Sequence, residues 1–207
     1  MVIIGAKGLA KELLTLLSWN NDIENLVFFD DISPDSPQLL YERFTVLTTW
    51  SQLQQQLTKE SPHFVLGVGN PRNRRQLAER ACSLGGKLTT VVSNHALIGE
   101  FGNHIGEGVC VLPHAIISCD VEIGKGSLIN KAAILSHDVK VGQYCTISPG
   151  VKLLGRSIIG EGTEIGTNAV VLPNITIGIN CIIGAGAVVT KSVPDGQTVV
   201  GIPAKPL

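Results

Sequence analysis

From Ile105 onward an aliphatic residue recurs every six positions: Ile105, Val111, Ile117, Ile123, Ile129, Leu135, Val141, Ile147, Leu153, Ile159, Ile165, Val171, Ile177, Ile183 and Val189. Four positions after each of these stands a small or β-branched residue, from Val109 and Ala115 to Ala187 and Val193. A period of six does not fit a helix face, which repeats every ~3.6 residues, but it fits short strands joined by tight turns. The aliphatic residue points inward, the small one fits near the turn, and glycine or asparagine takes backbone angles that other residues resist. Three hexads close one triangular coil, so residues 105–194 predict about five coils stacked ~4.8 Å apart.

The first 94 residues follow a different rule. MVIIG, NLVFFDD, HFVLGVG and KLTTVV are short apolar runs that predict strands. Between them GLAKELLTLLSW, TTWSQLQQQL and NPRNRRQLAERACSLG carry helical spacing, clearest at Leu9, Leu13, Leu16 and Leu17. Strand–helix alternation predicts a small parallel sheet with flanking helices, an α/β Rossmann-like domain over 1–94. The solenoid and a C-terminal tail then occupy 95–207.

Composition narrows the function classes. The chain of 207 residues has a net charge of −1 with 16% charged residues, so a broad electrostatic footprint for nucleic acid or an anionic membrane is not expected. With 44% hydrophobic but only 4% aromatic residues, the core must be aliphatic. Five cysteines without a CxxC pair suit free thiols in a reducing cytoplasm. The first apolar run is interrupted by Gly5, Lys7 and Lys11, so neither a signal peptide nor a membrane span is expected.

One hexad carries chemistry. In ILSHDVKVG, residues 134–142, His137 falls at a coil corner, where its imidazole should project from the prism. An unperturbed imidazole titrates at pH ~6.5, and the carboxylate of Asp138 beside it is placed to orient the ring and raise its basicity. Eighteen residues later the same corner holds Gly155, whose backbone N–H would lie about one strand spacing away. A base with a nearby amide donor is a minimal kit for acyl transfer. Ser136 is a poor nucleophile partner for its own neighbour, and His63, His95, His104 and His114 are taken as structural or solvent-facing. No metal site is expected, because the positions after His137 offer Val139, Lys140, Val141, Gly142 and Gln143. Thr167 and Ala185, also 18 apart, stack on another edge. One chain cannot easily bring that edge to its own His137, so a trimer with sites between neighbouring prisms is expected. Gly184, Ala185 and Gly186 are small enough for a slender pantetheine arm.

In the front domain, VIIGAKGLAKE places a glycine turn between a strand and a helix, where free N–H groups favour phosphate. Asp30 and Asp31 end the second strand, and Gly69 and Asn70, with Arg72 nearby, follow the third. All three lie at the carboxyl side of the sheet, the ligand side of open α/β folds.

The Gly-Ala-x-Gly opening, the strand ending Asp-Asp, the GxGN third strand, the hexads with a His-acid pair and the VVGxPAK tail together resemble one family. This is the bacterial nucleotide-sugar acetyltransferases, of the sialic acid O-acetyltransferase and UDP-4-amino-sugar N-acetyltransferase type. The resemblance covers residues 2–205 and implies a left-handed parallel β-helix, a homotrimer, and acetyl-CoA as co-substrate with no tightly bound cofactor. It implies His137 as general base with Asp138 behind it. It further implies a UDP-linked amino sugar at Lys7, Gly8, Leu9, Asp30, Asp31 and Gly69, and acetyl-CoA near Thr146, Gly155, Thr167 and Ala185. Leu9 and Thr146 depart from the pattern, since some members carry histidine at each. Transfer to a sugar hydroxyl and a non-catalytic nucleotide-sugar-binding scaffold are the competing expectations.

Overall fold

The computed structural model describes residues 1–33 and 37–207. The chain divides into two compact units, Met1–Val91 and Val92–Leu207, slightly ahead of the boundary expected after residue 94.

The front unit is Rossmann-like. Its elements run β1 (Val2–Ile4), α1 (Gly8–Trp19), β2 (Val27–Phe29), β3 (Leu39–Leu40), β4 (Phe44–Leu47), α2 (Trp50–Lys59), β5 (His63–Leu66), α3 (Pro71–Ser83) and β6 (Lys87–Leu88). The sheet order is β3-β4-β2-β1-β5-β6, parallel except for the β3–β4 hairpin. Its strands are nearly wholly apolar because both faces are covered, with Val2, Ile3, Phe28, Phe64 and Val65 completely buried. Leu13, Leu16 and Leu17 of α1 and Leu53 and Leu57 of α2 supply the helical side of this core. Helix α2 starts at a reciprocal capping box between Thr49 and Gln52, and α3 starts at Asn70 followed by Pro71. Helix α1 has no side-chain cap at Lys7, so its first N–H groups are left open.

Two features of this unit differ from the sequence expectation. KLTTVV is two strands, Lys87–Leu88 and Val91–Val92, rather than one. The hairpin β3–β4 was not anticipated; its turn places Tyr41 (φ 52°) and Glu42 (φ 54°) in the left-handed region, where Asn-Gly or Asp-Gly is the recognisable signal.

The second unit is a parallel β-helix of two-residue strands on three faces. One face stacks Leu97–Ile98, Ile116–Ile117, Ile134–Leu135, Lys152–Leu153, Val170–Val171 and Val188–Val189. The second stacks His104–Ile105, Glu122–Ile123, Lys140–Val141, Ile158–Ile159 and Thr176–Ile177. The third includes Cys110–Val111, Leu128–Ile129, Thr146–Ile147, Glu164–Ile165 and Ile182–Ile183 and ends in Thr198–Val200 and Lys205–Pro206. Partners are offset by 18 residues, as in Cys110↔Leu128 and Lys152↔Val170, which is the predicted coil. The hexad positions from Val111 to Val189 are all buried and form one continuous core. The period slips at both ends. Leu97 pairs Ile116, and Ile182 pairs Thr198 after a shortened final coil. No helix among the described residues is long and apolar enough to cross a membrane.

At each corner one residue takes the left-handed conformation. One such ladder runs Gly102, Asp120, Asp138, Arg156 and Asn174, with φ between 56° and 68°.

Candidate active site

In the front unit the carboxyl ends of β1, β2 and β5 open into a cavity of about 580 Å³. Lys7, Gly8 and Leu9 line it from the β1–α1 turn, Asp30 and Asp31 from the end of β2, and Gly69 from the loop after β5. All six residues proposed from sequence for the nucleotide sugar therefore face one space. The turn is built tightly: Gly5 has φ 106°, and a Cβ there would lie 2.9 Å from the Gly67 carbonyl oxygen. Gly8 and Gly69 have nothing within 4 Å of a would-be Cβ, so a side chain at either would enter open space rather than the fold. The uncapped start of α1 borders this space, which is the arrangement that receives phosphate.

The two aspartates do different work. Asp30 is buried; its Oδ1 accepts from the backbone N–H of Ile32 (3.2 Å) and Ser33 (3.0 Å), and its Oδ2 from the Ser33 hydroxyl (2.9 Å). It shapes its own turn. Asp31 reaches outward, and its Oδ2 accepts from the indole N–H of Trp50 at 2.5 Å. The Trp50 ring meets Phe29 edge-on at 4.6 Å and carries the Arg80 guanidinium 3.7 Å from its centroid. Arg72 does not line the cavity; the α3 face that does is Asn73, Gln76, Leu77 and Arg80, one helical stripe at i, i+3, i+4 and i+7. Sequence reading missed Trp50 and Arg80. The available signal was that Trp50 begins the helix after β4, again at the ligand side of the sheet. Arg74, fully buried, donates to the Gly69 carbonyl at 2.6 Å and so holds the loop that borders the cavity.

In the solenoid, His137 stands at a corner with its side chain about half exposed (49%). Its Nδ1 lies 2.7 Å from Asp138 Oδ2. A carboxylate only accepts, so Nδ1 carries the proton and Nε2 keeps its lone pair. Asp138 occupies the left-handed position of the corner (φ 59°), which turns its side chain back beside the ring. Gly155 is the residue against which the imidazole lies: a Cβ there would be 2.5 Å from Nε2 and 2.6 Å from Cε1. The Gly155 carbonyl accepts from Asn174, while its own N–H has no partner among the described residues. Base, orienting acid and amide donor thus share one corner.

Of the residues expected near acetyl-CoA, Gly155 is at this corner and Thr146, Thr167 and Ala185 are not. Thr167 and Ala185 stack on the edge between the third and first faces, where the Gly186 N–H donates to the Thr167 carbonyl at 2.8 Å. Both are exposed. Thr146 lies on a strand of the third face, buried, with its N–H bonded to the Thr163 carbonyl. The single chain therefore brings together His137, Asp138 and Gly155 but holds Thr146, Thr167 and Ala185 elsewhere. Of the remaining histidines, His63 bonds Thr89 at 3.0 Å, and the His95 and His114 rings lie 6.2 Å apart. On the second face, Lys140 sits 2.8 Å from Glu122, and this hydrogen bond, with the ammonium charge, holds the Glu122 carboxyl below its ordinary value. Among the described residues no group of His, Cys, Asp or Glu is arranged to hold a metal ion.

Comparison with known proteins decides the family. Residues 1–81 match the family described as PglD N-terminal domain, and residues 156–191 match bacterial transferase hexapeptide (six repeats). The acetyltransferase domain of PglB from Neisseria gonorrhoeae FA1090 is 35% identical, with 100% of this chain and 98% of that chain covered and a TM-score of 0.90. The chain belongs to the nucleotide-sugar acetyltransferases built on hexapeptide repeats. Its solenoid is accordingly a left-handed parallel β-helix. PerB from Caulobacter crescentus, solved with CoA and GDP-perosamine, is 30% identical over 100% of this chain and 96% of that one, with a TM-score of 0.91. WeeI from Acinetobacter baumannii AYE is 28% identical over 100% and 98%, with a TM-score of 0.77. No curated protein matches the chain in sequence.

Proposed function

We propose that this acetyltransferase moves acetyl from acetyl-CoA to the amino group of a UDP-linked sugar, with His137 as general base. The observation that carries this is the His137–Asp138 pair, whose open Nε2 lies against Gly155 and its unpartnered N–H. The acceptor amine attacks the thioester carbonyl carbon. His137 Nε2 takes the proton shed by the amine, directly or from the zwitterionic intermediate, and Asp138 stabilises the imidazolium through Nδ1–H. The Gly155 N–H donates to the developing oxyanion. When the tetrahedral intermediate collapses, the C–S bond breaks, and the imidazolium returns its proton to the departing CoA sulfur.

The nucleotide belongs in the front cavity, with the phosphate nearest its ribose at the α1 N-terminus and its base toward Asp31 and Trp50. Neighbouring enzymes support the two substrates: PglB has been solved with acetyl coenzyme A and PerB with CoA and GDP-perosamine. Structures of perosamine N-acetyltransferase include variants with one histidine changed to asparagine or alanine. Because Thr167 and Ala185 lie on another edge from His137, a second copy of the chain must present them. A homotrimer with its sites in the clefts between copies satisfies this. The five free cysteines suit a reducing compartment such as the cytoplasm.

The test is thiol release from acetyl-CoA with UDP-, GDP-, dTDP- and CMP-linked sugars, each supplied in amino and hydroxyl form. UDP-amino sugar should be turned over fastest. Preference for the hydroxyl form would make the chain an O-acetyltransferase, preference for another nucleotide would correct the base, and silence throughout would contradict the proposal.

A further inference from the structure

One residue at the catalytic corner is not used by this chemistry. Arg156 follows Gly155 directly, and its N–H donates to the His137 carbonyl at 3.0 Å. Its φ is 61°, in the left-handed region that a side chain with a Cβ enters at a cost. The rest of its ladder consists of Gly102, Asp120, Asp138 and Asn174, residue types that tolerate this region. At the other corners the same region is also taken by His114 and Ala132, which are exposed, and by Tyr144, which is buried with its ring against Gly126. Among these corner residues Arg156 alone carries a long cationic side chain, and that side chain is exposed.

It is nonetheless oriented. Nε donates to Asn174 Oδ1 at 2.7 Å, one coil on, while the two Nη groups have no partner among the described residues. The result is a guanidinium fork fixed at its inner nitrogen and open at its outer pair, on a residue whose backbone N–H is bonded to the His137 carbonyl. Residues held in strained conformations concentrate where function requires them. A fork of this geometry recognises a phosphate or carboxylate through two parallel hydrogen bonds.

We infer that Arg156 is a specificity-determining residue that binds the phosphate nearest the acceptor sugar. The inference rests on the reaction proposed above. In that reaction the sugar amine lies at His137 Nε2, so its glycosyl phosphate is one pyranose ring away and within reach of a side chain on the same corner. The phosphates of acetyl-CoA are a full pantetheine arm away from the thioester. Arg156 therefore acts on the acceptor and leaves the donor alone.

The test compares wild type with Arg156→Asn and Arg156→Lys. Asparagine tolerates the left-handed backbone, so Arg156→Asn should raise the Tm while raising KM for the nucleotide amino sugar about tenfold or more. KM for acetyl-CoA should stay within about twofold, and kcat should change less than the acceptor KM. Arg156→Lys should recover part of the acceptor KM. With the same amino sugar as its methyl glycoside, which has no phosphate, wild type and Arg156→Asn should have equal KM; a difference that persists would assign the fork to another anion on the sugar and overturn the phosphate assignment. An unchanged acceptor KM, or a rise confined to acetyl-CoA, overturns it as well. In either case, wild-type turnover would leave the proposed reaction standing. Absence of wild-type turnover with every nucleotide amino sugar would overturn both.

Discussion

The front unit and the solenoid bury the same kinds of side chain by opposite means. In the solenoid every coil repeats one solution: an aliphatic residue inward, a small one behind it, a left-handed corner. Chemistry there appears as a departure from the repeat. His137 alone brings an imidazole to its place in the hexad, and Arg156 stands where most corners carry glycine, aspartate or asparagine. In the front unit no two elements are alike, and its chemistry collects where the pattern stops, at the carboxyl ends of β1, β2 and β5. Glycines show the contrast. Gly155 makes room for a ring of its own chain, whereas Gly8 makes room for nothing in the chain and leaves the cavity open.

Substitutions can break this comparison, and the largest effect belongs to the corner. His137→Ala should lower turnover about a hundredfold or more with the Tm unchanged, since the ring is half exposed and holds no core contact. Steady-state rates beside a thermal melt would check both parts. Gly155→Ala approaches the same pair from the other side. Gly155 is not in the left-handed region, so the chief obstacle to a Cβ is the imidazole, 2.5 Å away. About a tenfold loss of kcat is expected as the ring is displaced, with acceptor KM little altered.

Further down the scale, the two units can be separated by stability alone. Ser157, inside the solenoid directly after Arg156, is fully buried and its hydroxyl has no hydrogen-bond partner among the described residues. Ser157→Ala should therefore stabilise the chain by up to about 1 kcal/mol, read as a higher denaturation midpoint. A loss of stability instead would mean that the hydroxyl is satisfied, and that the repeat tolerates less polarity than its alternation of Ser127, Cys145, Thr163 and Cys181 at another corner implies.

The solenoid was legible because one rule is applied fifteen times in succession, and the deviation of His137 was legible against it. Its ends were less so, since Leu97 and Thr198 pair out of period once the first coil lengthens and the last shortens. In the front unit the strand ends and the glycine turn could be read locally, which is why all six proposed residues line one cavity. The Asp31–Trp50–Arg80 cluster could not, because it joins the ends of β2, α2 and α3, and only packing decides that they meet. Asp30 shows the complementary limit. Position alone made it a ligand candidate, but its carboxylate is occupied by its own turn. The β3–β4 hairpin stayed hidden because Tyr41 and Glu42 form a turn usually written with Asn and Gly.

The central claim is that one copy supplies the base and another the edge carrying Thr167 and Ala185. Co-expression of two variants tests it most directly. His137→Ala removes the base, and Ala185→Trp blocks the edge, so each alone should be inactive. In mixed assemblies formed at equal ratio, about a quarter of the clefts would combine an intact base from one copy with an intact edge from its neighbour. Acetyl transfer should return to roughly that fraction of wild type. Mixed assemblies as inactive as either parent would contradict the shared site and confine the reaction to a single chain.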